Sequence, residues 1–401
     1  MASISSSLRR LKQDLEPFVP AASIRDACAA VGHCWRQRQF DPLATLHLFI
    51  LQVLHSNTAM THLRHLAKTS VNAASYCKAR MRLPLPVLQI LLRDSARVMA
   101  AATGKRRWKG LRVWLTDGTG SIAPDTPALQ EQFPQPVDQK KGCGFPQLKI
   151  LGLIDAFSGL VIEALCFPLY THEQSRVCQL HPFLGKGDLL VGDRGFCSFV
   201  HLAMLQLQGI LGLFRMHQRR IVNFRPHRRS HRRHKGKAHS QFVKRLGKHD
   251  QLVKWIKPRQ RPKWMDAQQW LSLPGTLLVR ELRYTISAKG QRTRVVTIAT
   301  TLLDPLLYPK EQVAALHGVR WTVETHFSEL KTTLKMRKLK SQTPLGAQKE
   351  VAVYCLLYNL VHVMMLRAAE RQRVSADRIS FIDTLRCCAG PSPEKPCRCW
   401  W

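Results

Sequence analysis

The sequence predicts an α/β protein in which an all-α N-terminal domain precedes a mixed sheet, and a β-rich insertion interrupts that sheet. Three observations carry this prediction. The pattern up to about Arg107 has helical period; from Gly110 the texture changes to short apolar runs ending at acids; and a strongly basic stretch leads into a pair of alternating strands. The expected segments are 1–107 (helical, DNA-binding in character), 108–215 (first part of the sheet core), 216–308 (basic and β-rich insertion), 309–370 (second part of the core) and 371–401 (a Cys/Pro-rich tail).

In the N-terminal segment, FDPLATLHLFILQVL, MTHLRHLAKTS, VNAASYCKARMRL and LPVLQILLRDSARVMAAATG each carry apolar residues at helical spacing, the last closing on a glycine stop. The middle two are short helices joined near Thr69 and Ser70, and the second bears Lys78, Arg80 and Arg82. This is the outline of a helix-turn-helix reader of DNA, although short helical pairs occur in any all-α domain.

LRVWLTDGTGS then predicts a strand ending at Asp117 in a glycine turn, and PQLKILGLIDAFSGLVIEALCF a hairpin turning at Ser158 and Gly159. GDLLVGDRGFCS holds a buried run, LLVG, that stops at Asp193. HLAMLQLQG predicts a short helix, and ILGLFRMH a further strand. The stretch Arg215–Lys263 has Asp250 as its only acid, and its composition alone fits a solvated loop. TLLVRELRYTIS and RTRVVTIATTLL come next as an antiparallel pair turning around Lys289 and Gly290, which favours an inserted subdomain. Pro309 and Glu311 open a helix, and VAVYCLLYNLVHVMML, interrupted by Asn359 and His362, predicts a buried one.

Composition narrows the partner. Lys plus Arg number 62 against 26 for Asp plus Glu, a formal net charge of +36, which points to a polyanion: nucleic acid first, an anionic membrane second. The apolar run is short for a membrane span, and MASISSSLRRLKQDLEPF lacks a signal-peptide core, so a cytoplasmic location is expected. The twelve cysteines are scattered and expected to be reduced; Cys387, Cys388, Cys397 and Cys399 match no standard zinc spacing.

The stretch HGVRWTVETHFSELKTTLKMRKLK places a lone Glu324 among cations. Wound as one α-helix, with Arg320 at zero, His317 falls near ~60°, Glu324 near ~40°, Lys331 near ~20° and Lys335 near ~60°, a single stripe. Val319, Val323, Phe327, Leu330 and Leu334 form an adjoining apolar stripe, while Thr325 and Glu329 are expected to point away from both. Ion pairing along a surface helix explains this as well as a metal-binding carboxylate does. Asp117 and Asp193, each directly after a core-like run, are the other candidate acids, with Asp155 and Asp188 as alternatives; any of the four also suits a turn. Carboxylates gathered from distant points can hold paired Mg²⁺ for phosphodiester chemistry.

VWLTDGTG, LLVGDRGF and HGVRWTVETHFSELK resemble, in that order, the three acidic motifs of bacterial insertion-sequence transposases of the DDE class, specifically the IS-four family. Arg320, Glu324 and Lys331 keep the spacing of that family's third motif, Tyr-x-x-Arg-x-x-x-Glu-x-x-x-x-x-x-Lys, with His317 at the tyrosine position. Tyr358-Asn359-Leu360 resembles the family's segment after the third acid. The likeness covers residues 110–365. It implies a ribonuclease H-like core with a β-rich insertion. Asp117, Asp193 and Glu324 would be catalytic ligands of two Mg²⁺ ions (Mn²⁺ as substitute), acting on terminal inverted repeats and joining the freed 3′-OH to target double-stranded DNA. Arg320, Lys331, His317, Lys335 and Arg194 would meet phosphates, as would Arg228, Arg229, Arg232 and Arg233 in the basic stretch. One of Trp255, Trp264 and Trp270 would stack on an extruded base, and a homodimer would pair two DNA ends. Trp114 and Trp321 are expected to pack beside the motifs. Two rivals stay open: a transposase-derived DNA-binding protein without activity, and a hydrolytic nuclease on the same core.

Overall fold

The computed structural model describes residues 13, 16–67, 71–102, 107–140, 142–218, 220–225, 240–286 and 294–389. The chain is a mixed α/β protein with a large mixed sheet, and it divides into two compact units. One comprises residues 1–106, 118–170 and 324–401; the other comprises 107–117 and 171–323.

The first unit is built around the helix Pro344–Gln372. Thr343 caps its start by accepting from the Gly346 N–H, Pro344 occupies its first turn, and Arg373, in the left-handed region at φ 54°, ends it. It is long and apolar enough to cross a membrane, yet 78% of its most apolar window is buried inside the protein. It packs against Pro42–Leu54, Leu85–Ala102, Phe381–Ala389 and the strand Val161–Pro168. Leu85–Ala102 contributes Val87, Leu88, Leu91, Leu92, Ala96 and Met99 at the spacing its sequence predicts. Asn359 stitches helix to strand: its side chain accepts from the Val161 N–H at 2.8 Å and donates to the Val161 carbonyl at 2.7 Å.

β1 (Val113–Ile122) passes from one unit to the other; β2 (Gln147–Asp155) and β3 (Val161–Pro168) form the predicted hairpin, with Gly159 at φ +71° in its turn. β1 corrects the expectation of a strand that ends at Asp117. It runs on through Gly118 and Gly120 because Ile122 exchanges backbone hydrogen bonds with Arg337 and Leu339, partners more than two hundred residues later.

The helical pair expected to be a DNA reader is a single 3₁₀ turn and a five-residue helix, Leu63–Ala67, before Ala73–Arg82; its joining turn lies outside the described residues. Arg80 does not face solvent. Its guanidinium sits 3.6 Å over the Phe49 ring and bonds Gln52 and Ser341, while Lys78 and Arg82 are more accessible.

The second unit adds β4 (Leu189–Gly192), β5 (Leu211–Arg215), β6 (Ser240–Gly247), β7 (Asp250–Ile256), β8 (Thr276–Ile286) and β9 (Arg294–Thr300). Its strands run in the order β1-β4-β5-β9-β8-β7-β6, parallel from β1 to β5 and antiparallel thereafter. β6 and β7 come from the basic stretch; β6 is exposed along nearly its whole length and offers no alternation to read, and β7 alternates only in its second half. Asp250, that stretch's acid, is buried against Arg280, which donates to it twice, at 2.8 and 2.5 Å, and also to the Tyr308 carbonyl. Breaking one side of such a pair costs about 3–5 kcal/mol. Trp255 is fully buried, its indole N–H donating to Glu281 and its ring capped by Arg220, so it is core and not a stacking platform. Trp270 carries Lys257 over its ring.

Among the described residues Cys28, Cys197 and Cys355 are buried free thiols. Cys397 and Cys399 lie outside the described residues.

Candidate active site

In the second unit the buried run Leu189–Gly192 makes β4 an interior strand, flanked by β1 and β5. Gly192 fits closely before Asp193: an added Cβ would meet the Phe196 and Phe214 rings at 3.0–3.2 Å, so those rings would have to give way. β1 and β4 pair in parallel with Thr116 opposite Gly192. Asp117 and Asp193 are the residues that directly follow this last pair on neighbouring strands. The chain turns away after Asp193 into a short 3₁₀ segment, Arg194–Phe196, so this carboxylate stands at a strand's carboxyl end, where open α/β sheets bind ligands.

Asp193 Oδ1 is buried without a hydrogen-bond partner among the described residues. Asp117 Oδ2 lies 3.5 Å from Nη1 of Arg320, whose side chain is 5% exposed. The other two aspartates are committed elsewhere: Asp155 accepts from the N–H groups of Phe157 and Ser158 in the hairpin turn, and Asp188 accepts from the Trp114 indole and the Gly185 N–H. That pairing also accounts for Trp114 as packing, whereas Trp321 is exposed with Arg320 over its ring.

His317 is buried, and its Nδ1 is 2.8 Å from the hydroxyl of Tyr284 on β8. Burial, then Arg320 and Arg215, against an opposing pull from Asp193, push its pKa down to about 4, so the imidazole is neutral near pH 7. Burial pushes the Tyr284 phenol up to about 12. When the phenol donates to Nδ1, the His317 proton resides on Nε2, which is buried without a partner among the described residues. Sequence reasoning missed Tyr284: it lies thirty-three residues before His317 in an ordinary alternating strand, with no local signal.

The single helix expected from His317 to Lys340 is broken. Lys310–Val319 ends in i→i+3 bonds at Arg320, Trp321 and Val323; Thr322–Ser328 comes next; and Glu329–Thr333 is a π turn closed by the Leu334 N–H on the Glu329 carbonyl. A wheel of uniform pitch therefore fails. Lys335 stands outside any helix at φ +66°. The apolar stripe itself is real, with Val323, Phe327, Leu330 and Leu334 buried, although Val319 is half-buried. Glu329, expected to point outward, instead accepts from the Tyr358 hydroxyl.

Within the first unit, Glu324 is exposed in the first turn of its helix, and Lys331 and Lys335 line one open cavity of about 710 Å³ with Arg337, Lys338 and Lys340. In the second unit, Arg194 is held by Gln218. Arg228, Arg229, Arg232 and Arg233 lie outside the described residues. The structure thus groups Asp117, Asp193, Arg320 and His317 in one unit, and Lys331 with Lys335 in the other.

Residues 108–360 match the family model described as the transposase DDE domain. The chain is 27% identical over 303 residues to the transposase InsG for insertion sequence element IS4 of Escherichia coli (strain K12), a match covering 75% of this chain and 62% of that protein. It thus spans less than two thirds of that relative's length. Among solved structures it is similar to a chain of the piggyBac transposase synaptic complex with hairpin DNA, at a TM-score of 0.46 and 9% identity, over 94% of this chain and 79% of that one. The matched domain and the similar IS4 transposase agree: the chain belongs to the DDE transposase family, in its IS4 group.

Proposed function

We propose that this protein cuts DNA at the terminal inverted repeats of the insertion sequence that encodes it and transfers the freed 3′-OH to target DNA. Asp117, Asp193 and Glu324 serve as its catalytic acids. The observation that carries the reading is the buried Oδ1 of Asp193, unpartnered among the described residues, at the end of β4, with Asp117 directly after the last paired residue of the neighbouring parallel strand β1. A carboxylate oxygen withdrawn from water without a donor is costly to maintain unless a ligand satisfies it. An all-oxygen donor set suits Mg²⁺, or Mn²⁺ in its place. Two such ions, when bound, supply charge stabilisation to the attacking and leaving oxygens.

The chain's own residues do the rest. Arg320 pairs with Asp117 and brings its positive charge to the place where a phosphate would lie. His317, neutral and aligned by Tyr284, offers Nε2–H as a donor in place of the tyrosine hydroxyl of related sites. Lys331 and Lys335, in their cation-lined cavity, hold the flanking strand. The parallel β1-β4-β5 strands support a ribonuclease H-like core, with the antiparallel β6 to β9 as its inserted part; the N-terminal helices form a DNA-binding domain. Two copies pair two ends.

The test is cleavage of DNA carrying the element ends, with Mg²⁺, by wild type, Asp193→Asn and Glu324→Gln. Cutting and joining by wild type alone, with DNA binding retained in both variants, is expected. Cutting without joining would leave a nuclease, and binding without cutting a DNA-binding protein.

A further inference from the structure

A second set of metal-ligating side chains lies in the first unit, outside the three acids. His326 and Glu329 project from the segment where the Thr322–Ser328 helix gives way to a π turn, a distortion that recurs at functional sites. His362 comes from the long helix Pro344–Gln372. Glu329 Oε2 is 3.8 Å from His326 Nδ1 and 3.8 Å from His362 Nε2, and the ligand atoms all lie within 4.8 Å of one another. Ligands at about 2.0–2.1 Å from a tetrahedral zinc are roughly 3.3 Å apart, so closing the set takes about half an ångström for each Glu329–histidine pair and at most about 1.5 Å between the two imidazoles.

Two further observations favour a cation here. Among the described residues the basic side chains found against the Glu329 carboxylate are these two imidazoles, each 3.8 Å away, with no lysine or arginine, in a chain of net charge +36. Both rings also converge over Gly159, where an added Cβ would meet His362 Cε1 at 2.7 Å and His326 Cε1 at 2.8 Å; the hairpin turn leaves the space the rings need. Tyr358 completes the surroundings, its hydroxyl 2.8 Å from His326 Nδ1 and 3.2 Å from Glu329 Oε2.

We propose that His326, Glu329 and His362 form a binding site for one zinc-class divalent cation, with Tyr358 or a water in the fourth position. Two nitrogens and one carboxylate distinguish it from an all-oxygen magnesium site. The bound ion clamps the π turn, which leads directly to Lys331, onto the core helix.

Cobalt(II) serves as the probe, because tetrahedral coordination gives intense visible absorption that octahedral coordination lacks. The full chain carrying Asp117→Asn, Asp193→Asn and Glu324→Gln together is expected to bind one equivalent of Co²⁺ with tetrahedral bands, displaced by Zn²⁺. Adding His362→Gln or Glu329→Gln is expected to weaken binding at least tenfold. Absence of those bands in the triple variant overturns the proposal whether or not the further variants fold. Bands that persist unchanged in folded His362→Gln and Glu329→Gln proteins overturn it too, leaving a Tyr358-centred hydrogen-bond network.

Discussion

The pairing of Tyr284 with His317 can be tested by a double-mutant cycle. Tyr284→Phe removes a hydroxyl 2.8 Å from Nδ1 of a buried imidazole whose Nε2 has no partner among the described residues. A buried polar atom left unsatisfied costs about 1–3 kcal/mol, so a loss of about 2 kcal/mol is expected. His317→Leu strands the half-buried phenol and is expected to cost about 1 kcal/mol from the hydrogen bond alone. Each single variant loses the same bond, so the double variant should cost about 1–2 kcal/mol less than the sum. Urea unfolding in the presence of a chelator measures all four proteins without metal linkage. Strand cleavage supplies a second readout: an imidazole misaligned by about 1.4 kcal/mol in the transition state slows the Tyr284→Phe enzyme about tenfold. Costs that add within about 0.5 kcal/mol would refute the coupling.

Further expectations concern other parts of the molecule. His181 and His201 face each other at 3.0 Å in the second unit, and burial lowers their pKa values to about 3 and about 4. Unfolded histidines take up protons below about pH 6.5 while these do not. Stability is therefore full above about pH 6.5 and falls as pH drops toward about 4, by about 3 kcal/mol for His201; His201→Gln should flatten the profile in pH-dependent melts. Asn359→Leu strips both backbone groups of Val161 of their partner and should cost about 2–4 kcal/mol by urea denaturation. Lys331→Ala with Lys335→Ala should reduce the slope of log affinity against log salt by about 2 on element-end DNA; an unchanged slope would remove the cavity from the DNA path.

What the sequence determined by itself was local or ordered along the chain. The periodicity of Leu85–Ala102, the hairpin at Gly159 and the buried Leu189–Gly192 run are short-range patterns, set by side-chain spacing and turn chemistry. The order of the acidic motifs, with Arg320, Glu324 and Lys331 at their spacing, carried the family. Tertiary structure decided what depends on partners far apart in sequence. β1 outruns Asp117 because residues 337–339 supply hydrogen bonds to its end. Arg80, on a helix that looked like a DNA reader, is spent on Phe49 and Gln52. Trp255, in a stretch that composition alone fits as solvated loop, is core because Glu281 and Arg220 satisfy it. Asp117 and Asp193 were preferred to Asp155 and Asp188 from the sequence, and the fold added the turn and indole contacts of the latter two; Tyr284 joined His317 only through the fold of β8. Local patterns are legible because one segment contains all their terms; a hydrogen bond between distant residues has half of its terms elsewhere in the chain.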